Sequence, residues 1–355
     1  MYTLLILATF IGLAFIICMG LMNILSGLLD KKIGETGVPL PEFHGPDDTL
    51  HAAGSDSRGM SVDRNMSDSK FFLLCSCTVF ALAQAPLAKS QPVFAISVVT
   101  PAGDQFWANS VIIEGTHETM LVDAQLTKTN AEKVLQAIKA TGKPLSIIYI
   151  THEHADHFLG LEVFKEAYPG VRILANSNVV DRINQVYQEK IDKWKGLLGA
   201  DAASHVVAVG KYDEDSIGFE NSKIEILKNV QGDTDQNTML WLPGQKTLIA
   251  GDVVFNDLHV YTAETDFAAR KRWLVSLEKI RDLKPAAVIP GHSKVGARID
   301  ATSAVDFTER YLLIFEEELK KARTPDDLVQ AMRERFPSAD LLLAIERGAK
   351  ANVKP

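Results

Sequence analysis

Cysteine is scarce in this sequence and is confined to its beginning. The 355 residues include three cysteines, Cys18, Cys75 and Cys77, and all three lie in apolar segments of the N-terminal part. The rest of the chain therefore has neither a disulfide framework nor a thiol nucleophile. Cysteine catalysis is excluded there, and a structural zinc site is disfavoured because such sites rely on thiolate ligands.

Long basic tracts are missing as well. The formal net charge is −8, and no Lys/Arg-rich segment appears anywhere. Because nucleic-acid-binding proteins carry clustered basic residues, we expect no nucleic-acid partner and a small-molecule ligand instead. The chain has 46% apolar and 23% charged residues, which is ordinary for a globular protein with a substantial core.

The N-terminal part differs from the rest in composition. Residues 1–29 carry no charge and are followed by Asp30, Lys31 and Lys32. This length predicts a transmembrane helix, and a buried core helix is the alternative. Residues 30–69 are polar and rich in Gly, Asp and Ser, which predicts a disordered linker.

A second apolar segment lies within residues 70–88. Lys70 precedes a largely apolar run that ends in the small-x-small pattern Ala81-Leu82-Ala83. This pattern is typical of a secretory signal peptide, which would start at Met60 or Met66. If the protein starts at Met1 instead, the two apolar segments form a membrane hairpin. Both interpretations predict an exported protein, periplasmic or extracellular, and the second adds a membrane tether.

From residue 92 onward, strand and helix patterns alternate as in an α/β domain. Short β-branched runs between residues 93 and 122 predict three strands. We expect Asn130 to cap the following helix and the apolar run Leu145–Ile150 to form a buried strand. A polar loop follows that strand, where open sheets usually place their functional residues.

This loop, in the segment YITHEHADHFLG, concentrates metal-ligating side chains. His152 and His154 are two residues apart, so in an extended segment they point the same way and can bind one ion. Asp156 and His157 follow as the chain turns and can reach a second ion. Imidazole and carboxylate suit a borderline divalent metal. The spacing predicts a metal centre, and a polar loop with hydrogen-bonded histidines is the alternative.

The His-x-His-x-Asp-His pattern resembles the signature of the metallo-β-lactamase-fold hydrolases. The resemblance runs from about Val93 to His292 and implies a four-layer αββα sandwich over residues 92–300, with a dinuclear site along one edge of its sheets. Asp252, at the end of a strand in Gly-Asp, matches the family's bridging aspartate. His292, in strand-Gly-His, matches the last histidine of the second metal.

The third metal loop departs from the family pattern. Gly232-Asp233-Thr234 stands where the family usually has Gly-His-Thr, so Asp233 replaces the third histidine of the first metal. The resemblance implies two divalent ions, zinc foremost, while a harder carboxylate ligand favours manganese or iron at the Asp233 position. The alternative is a one-metal enzyme that uses only Asp156, His157, Asp252 and His292.

The resemblance also implies a reaction, in which a metal-bound hydroxide attacks a carbonyl or phosphoryl centre. True β-lactamases of this fold usually lack the bridging aspartate, so Asp252 favours a small ester, lactone or thioester over a β-lactam. Asp252 would orient the hydroxide and Asp156 would accept its proton, which makes both residues catalytic. A phosphodiesterase of the same fold and a degenerate metal site in a binding or sensing protein are the alternatives.

Substrate contacts are harder to assign. His259 and Tyr261 follow the bridging aspartate and are predicted to approach the substrate, with ordinary core or surface roles as the alternative. Residues Ser177–Leu198 predict a long amphipathic helix beside the pocket. Residues 301–355 predict helices that pack and form a homo-oligomer, or that cover the pocket as a lid.

Overall fold

The computed structural model of the chain describes residues 93–101 and 106–354. The predictions for residues 1–29, 30–69 and 70–88 lie outside this part. Within the described part, no helix is both long enough and apolar enough to cross a bilayer.

The strands of the described residues form two sheets. They are β1 (Ala95–Val99), β2 (Ser110–Glu114), β3 (Thr119–Val122), β4 (Leu145–Tyr149), β5 (Arg172–Ala175), β6 (Gly210–Lys211), β7 (Ser216–Phe219), β8 (Ser222–Val230), β9 (Asn237–Leu242), β10 (Thr247–Asn256) and β11 (Ala287–Ser293). The first sheet has the order β1-β2-β3-β4-β5-β6, antiparallel up to β3 and parallel beyond it. The second has the order β11-β10-β9-β8-β7, and only β10 and β11 in it are parallel.

Helices follow the parallel strands and continue to the end of the described chain. They are α1 (Lys128–Ala140), α2 (Ala155–Phe158), α3 (Leu161–Ala167), α4 (Ser177–Leu198), α5 (Phe267–Asp282), α6 (Ser303–Leu319), α7 (Pro325–Arg335) and α8 (Leu342–Asn352).

Three apolar clusters separate four layers. Val111 and Ile113 of β2 pack in the cluster between the two sheets, whereas Ile112 between them packs against the helices on the outer face of the first sheet. This alternation follows from the two-residue period of a strand. A third cluster joins the outer face of the second sheet to Trp273 of α5 and Tyr311 of α6. The predicted αββα sandwich with C-terminal helices is confirmed.

The start of α1 differs from the prediction. Thr127 is the N-cap, and its hydroxyl accepts a hydrogen bond from the backbone N–H of Asn130 at 3.1 Å. Asn130 lies inside the first turn and is buried. Thr and Asn are both good N-cap residues, and the sequence pattern alone did not distinguish them. In contrast, α4 has the predicted bounds.

Candidate metal centre

The predicted ligands come from separate elements that end close together. His152 and His154 follow β4 directly. Asp156 and His157 lie in the short helix α2, where the sequence predicted a loop. The other three lie after β8 (Asp233), in β10 (Asp252) and in β11 (His292).

The first group of ligand-type side chains comprises His152, His154, Asp233 and Asp252, whose ligand atoms all lie within 4.8 Å of one another. Nδ1 of His154 lies 2.8 Å from Oδ2 of Asp233. Nε2 of His152 lies 3.6 Å from Oδ2 of Asp252 and 3.9 Å from Oδ2 of Asp233. Asp233 therefore faces the same point as the two histidines.

The second group comprises Asp156, His157 and His292. Nε2 of His157 lies 3.3 Å from Nε2 of His292, and Nε2 of His292 lies 3.5 Å from Oδ2 of Asp156. Asp252 reaches this group too, because its Oδ1 lies 3.3 Å from His157 and its Oδ2 lies 3.0 Å from His292. Asp252 thus lies between the two groups.

The geometry of both groups fits divalent metal ions. Ligand atoms that bind one ion tetrahedrally at about 2.1 Å lie roughly 3.4 Å from one another. The distances between ligand atoms given above for the two groups lie on either side of that value. Three buried atoms that face the groups, Nε2 of His152, Oδ2 of Asp233 and Oδ1 of Asp252, have close polar neighbours but make no hydrogen bond of normal geometry. Since unpartnered buried polar atoms are costly, this arrangement suits a site that binds cations.

The four histidines are oriented by their other ring nitrogens. A metal-binding histidine usually donates its second N–H to an oxygen, which fixes both the tautomer and the ring orientation. Every histidine of the two groups has such a partner: Thr151 Oγ1 for His152 Nδ1 at 2.9 Å, Glu264 Oε1 for His154 Nε2 at 3.2 Å, Asp123 Oδ2 for His157 Nδ1 at 2.8 Å and the Phe106 carbonyl for His292 Nδ1 at 2.7 Å.

Asp123 is a positioning residue that the sequence analysis missed. It follows β3 in the left-handed backbone region, with φ of 62°, which Asp tolerates better than most residues. Its carboxylate accepts hydrogen bonds from the backbone N–H and hydroxyl of Thr151, each at 2.8 Å. The only signal in the sequence is an aspartate at a strand end, which is a common feature.

Burial and the dense charge determine the protonation of the metal-free site. Burial would raise the pKa of Asp252, but the charges of His292 and His157 outweigh burial and hold that pKa well below its usual value. Burial raises the pKa of Asp233 to about 7. Burial also lowers the pKa of His152 well below its usual value.

The other histidines respond to their carboxylate neighbours. Burial would lower the pKa of His154, but Asp233 raises it well above the usual value. Asp252 likewise outweighs burial and raises the pKa values of His157 and His292. Because metal ligands must be deprotonated, the protons on these rings would be released on metal binding.

A bulge in β10 directs Asp252 into the site. Between Gly251 and Phe255 this strand advances four residues, while its partner β11 advances two, from Pro290 to His292. Gly291 leaves room for the carboxylate, because a Cβ there would lie 2.0 Å from Oδ1 of Asp252. The bulge and this glycine together place the bridging carboxylate.

Residues 104–292 match the family model of the metallo-beta-lactamase superfamily. This match covers more than half of the chain and includes every predicted ligand. The chain belongs to the metallo-beta-lactamase superfamily. Named proteins of that superfamily that the chain resembles are hydrolases, and the chain's own His/Asp groups imply divalent metal binding.

Two relatives illustrate how distant the similarity is. The chain is 25% identical over 260 residues to a linear primary-alkylsulfatase of Pseudomonas sp. (strain ATCC 19151), covering 62% of this chain and 49% of that protein. It is 24% identical over 204 residues to a type 2 metallo-beta-lactamase of Bacillus cereus, covering 56% of this chain and 71% of that one. The chain thus spans about half the length of the alkylsulfatase.

The fold is also found in a solved structure of a metallo-beta-lactamase family protein from Thermus thermophilus. The TM-score is 0.52 at 19% identity, and the match covers 71% of this chain and 92% of the other. At this identity the likeness concerns the fold alone.

A cavity opens onto both ligand groups, and only one of the two predicted substrate residues lines it. Tyr261 lines it, and the Tyr261 ring packs edge-on against His154 with centroids 5.3 Å apart. His259 does not line it, and this part of the prediction needs correction. The His259 ring is fully buried and its Nδ1 lies 3.0 Å from the hydroxyl of Tyr311 in α6. His259 therefore belongs to the core.

Proposed function

We propose that this protein is a dinuclear metal-dependent hydrolase that cleaves a small ester, lactone or thioester, with zinc as the metal. The observation that supports this most strongly is the position of Asp252. Its Oδ2 lies 3.6 Å from His152 of the first group and 3.0 Å from His292 of the second. One carboxylate in contact with both groups is placed to bridge a pair of ions.

In this reaction the oxygen of water forms a bond to the carbonyl carbon, and the bond from that carbon to the leaving oxygen or sulfur breaks. The water gives up one proton, and a proton reaches the leaving atom. The metal ions, when bound, would polarise the carbonyl and lower the pKa of a water molecule toward neutrality.

Side chains around the cavity can carry out proton transfer and stabilise the developing negative charge. Asp156 lines the cavity and its Oδ2 lies 3.9 Å from Nε2 of His157, so it can accept the proton of the water and pass it on. Burial raises the pKa of Tyr261, so its phenol stays protonated at neutral pH and can donate a hydrogen bond to the developing oxyanion.

The proposal is tested with the full-length chain loaded with zinc and assayed on a panel of phenyl esters, lactones and thioesters. We expect turnover of at least one class, its loss on chelation and its recovery on adding zinc back. Asp252→Asn should lower kcat by about 100-fold or more, because it removes the shared carboxylate charge. Asp257→Asn, a change at an exposed residue five positions later, is the matched control.

Two outcomes would reject the proposal. Stoichiometric zinc binding without turnover of any panel member would favour a binding or sensing protein. Turnover that is unchanged in Asp252→Asn would place the reaction at another site.

A further inference from the structure

The wall of the cavity opposite β10 and β11 is built by two helices, α4 and α8. From α4 come Lys190, Lys193 and Trp194, and from α8 come Leu343, Ala344 and Arg347. The family match ends at His292, so the α8 part lies beyond it. The metal-binding residues and the α8 part of this wall therefore come from different parts of the chain.

Helix α8 is held firmly against the loop that follows β10. A Cβ at Gly348 would lie 2.3 Å from Oγ1 of Thr262, so the helix and the loop approach as closely as glycine permits. The Asn352 amide donates to the Thr262 carbonyl at 3.0 Å and accepts from Arg270 at 2.8 Å. These contacts make α8 a fixed wall.

The wall carries three cations without carboxylate partners. Among the described residues, no carboxylate forms an ion pair with Lys190, Lys193 or Arg347. The Lys190 ammonium donates to the Glu153 carbonyl, which fixes it next to the metal-ligating segment. Lys190 and Lys193 are one helical turn apart, a spacing at which like charges repel. Burial lowers the pKa of Lys190, although three carboxylates nearby act in the opposite direction. A negatively charged ligand in the cavity would give these cations a direct partner.

Arg347 lines the cavity together with Tyr261, and the Tyr261 ring packs against His154. A guanidinium offers five N–H donors in a planar fork that matches a carboxylate or sulfonate. Arg347 is therefore placed to bind the charged end of a ligand in this cavity.

The remainder of the wall is apolar and of limited size. Phe106 and Trp194 meet edge-on with ring centroids 5.3 Å apart, and Leu341 and Leu343 lie along the same cavity. The cavity has a volume of about 150 Å³, which is the size of a space that holds benzene.

We propose that this wall selects substrates in which an apolar group of ring size carries a negative charge, and that Arg347 binds the charge with Lys190 and Lys193 nearby. The inference rests on the proposed hydrolase function, and it defines the class of substrate for that site.

A binding experiment tests the proposed role of the wall and does not require the protein to be catalytically active. Benzenesulfonate is ring-sized and anionic but a weak metal ligand, and methyl phenyl sulfone is its neutral counterpart. Calorimetric titration of the zinc-loaded, full-length protein should show tighter binding of the sulfonate. Arg347→Gln should raise the Kd of the sulfonate by about tenfold or more, because a charge-assisted hydrogen bond is lost. Lys350→Gln, at an exposed position of the same helix, should change it by less than about twofold.

Turnover then separates this inference from the proposed function. With 4-nitrophenyl phenylacetate and its 4-carboxy derivative, Arg347→Gln should lower kcat/KM for the anionic ester by about tenfold more than kcat/KM for the neutral ester. Equal losses on both esters, or equal affinity of the wild type for sulfonate and sulfone, would overturn the inference. If the protein binds the sulfonate selectively but hydrolyses no ester, the inference about the wall is supported and the proposed hydrolase function is rejected.

Discussion

Oδ2 of Asp123 lies 2.8 Å from Nδ1 of His157. The same carboxylate accepts two hydrogen bonds from Thr151, the residue before His152. One side chain therefore orients a ligand of each group, and does so from a strand end that binds no metal itself. This arrangement makes Asp123 the most informative position at which to test whether outer contacts control metal affinity.

Asp123→Asn should weaken zinc binding by about 10- to 100-fold, as expected when the hydrogen-bond partner of a metal-binding histidine is changed. Asparagine keeps the size of the side chain and tolerates the left-handed backbone, so the fold should survive. Competition with a chromogenic chelator measures the affinity. The matched control is Asp282→Asn, an exposed change in α5, and equal affinities in both variants would show that Asp123 has no positioning role.

Asp233 provides a direct test of the altered third loop. Asp233→Ala should lower the metal content from two equivalents to one per chain, because the first group loses a ligand, and Asp233→His should restore it. Mass spectrometry of the purified full-length protein measures both variants. One equivalent in the wild type and in the alanine variant would mean that Asp233 does not bind metal.

Gly291 is expected to be intolerant of any side chain. Gly291→Ala would place a Cβ 2.0 Å from Oδ1 of Asp252 and 2.6 Å from the carbonyl carbon of Gly251, and overpacking of this kind costs about 1–3 kcal/mol of stability. Urea denaturation of the metal-free protein should show the loss. Gly196→Ala, in α4 with open space around it, should instead stabilise the protein by up to about 1 kcal/mol.

The buried ring of His259 should make stability depend on pH. Burial lowers its pKa to about 4 in the folded protein, whereas an unfolded chain has a pKa of about 6.5. Between these values the unfolded state binds a proton that the folded state does not. Stability is therefore lost as the pH falls from about 6.5 toward about 4, by roughly 2 kcal/mol at pH 5.

His259→Gln should remove this pH-dependent contribution to the free energy of unfolding. The difference in unfolding free energy between wild type and variant, measured by denaturation at pH 7 and at pH 5, isolates it from the titration of the metal ligands. A difference that does not change with pH would show that His259 titrates normally in the folded protein.

The sequence was sufficient to predict the layers and the first cluster of ligand-type residues because both depend on local patterns. The short β-branched runs of the first strands and the spacing of His152 and His154 can be recognised without knowing any distant contact. The same is true of α4, whose bounds were predicted correctly. The resemblance to the metallo-β-lactamase fold then added Asp233, Asp252 and His292 to the prediction, and the structure places all three beside the histidines.

Long-range contacts account for what the sequence did not show. His259 and Tyr261 would point the same way in an extended chain, yet only Tyr261 lines the cavity. The backbone N–H of His259 bonds to the Asp340 carbonyl at 2.9 Å, and this contact with the distant C-terminal part fixes the ring in the core. Arg347 reaches the cavity for a similar reason, because the packing of α8 on Thr262 is invisible in local patterns.

The position of α8 beyond the family match also matters for how such an enzyme changes over evolution. Because Leu343, Ala344 and Arg347 follow the family match by some fifty residues, mutations or exchanges of the C-terminal segment can alter which molecules are accepted while the metal loops stay intact. A lineage could in this way acquire new substrates by recombining its tail, with its hydrolytic machinery preserved from one variant to the next.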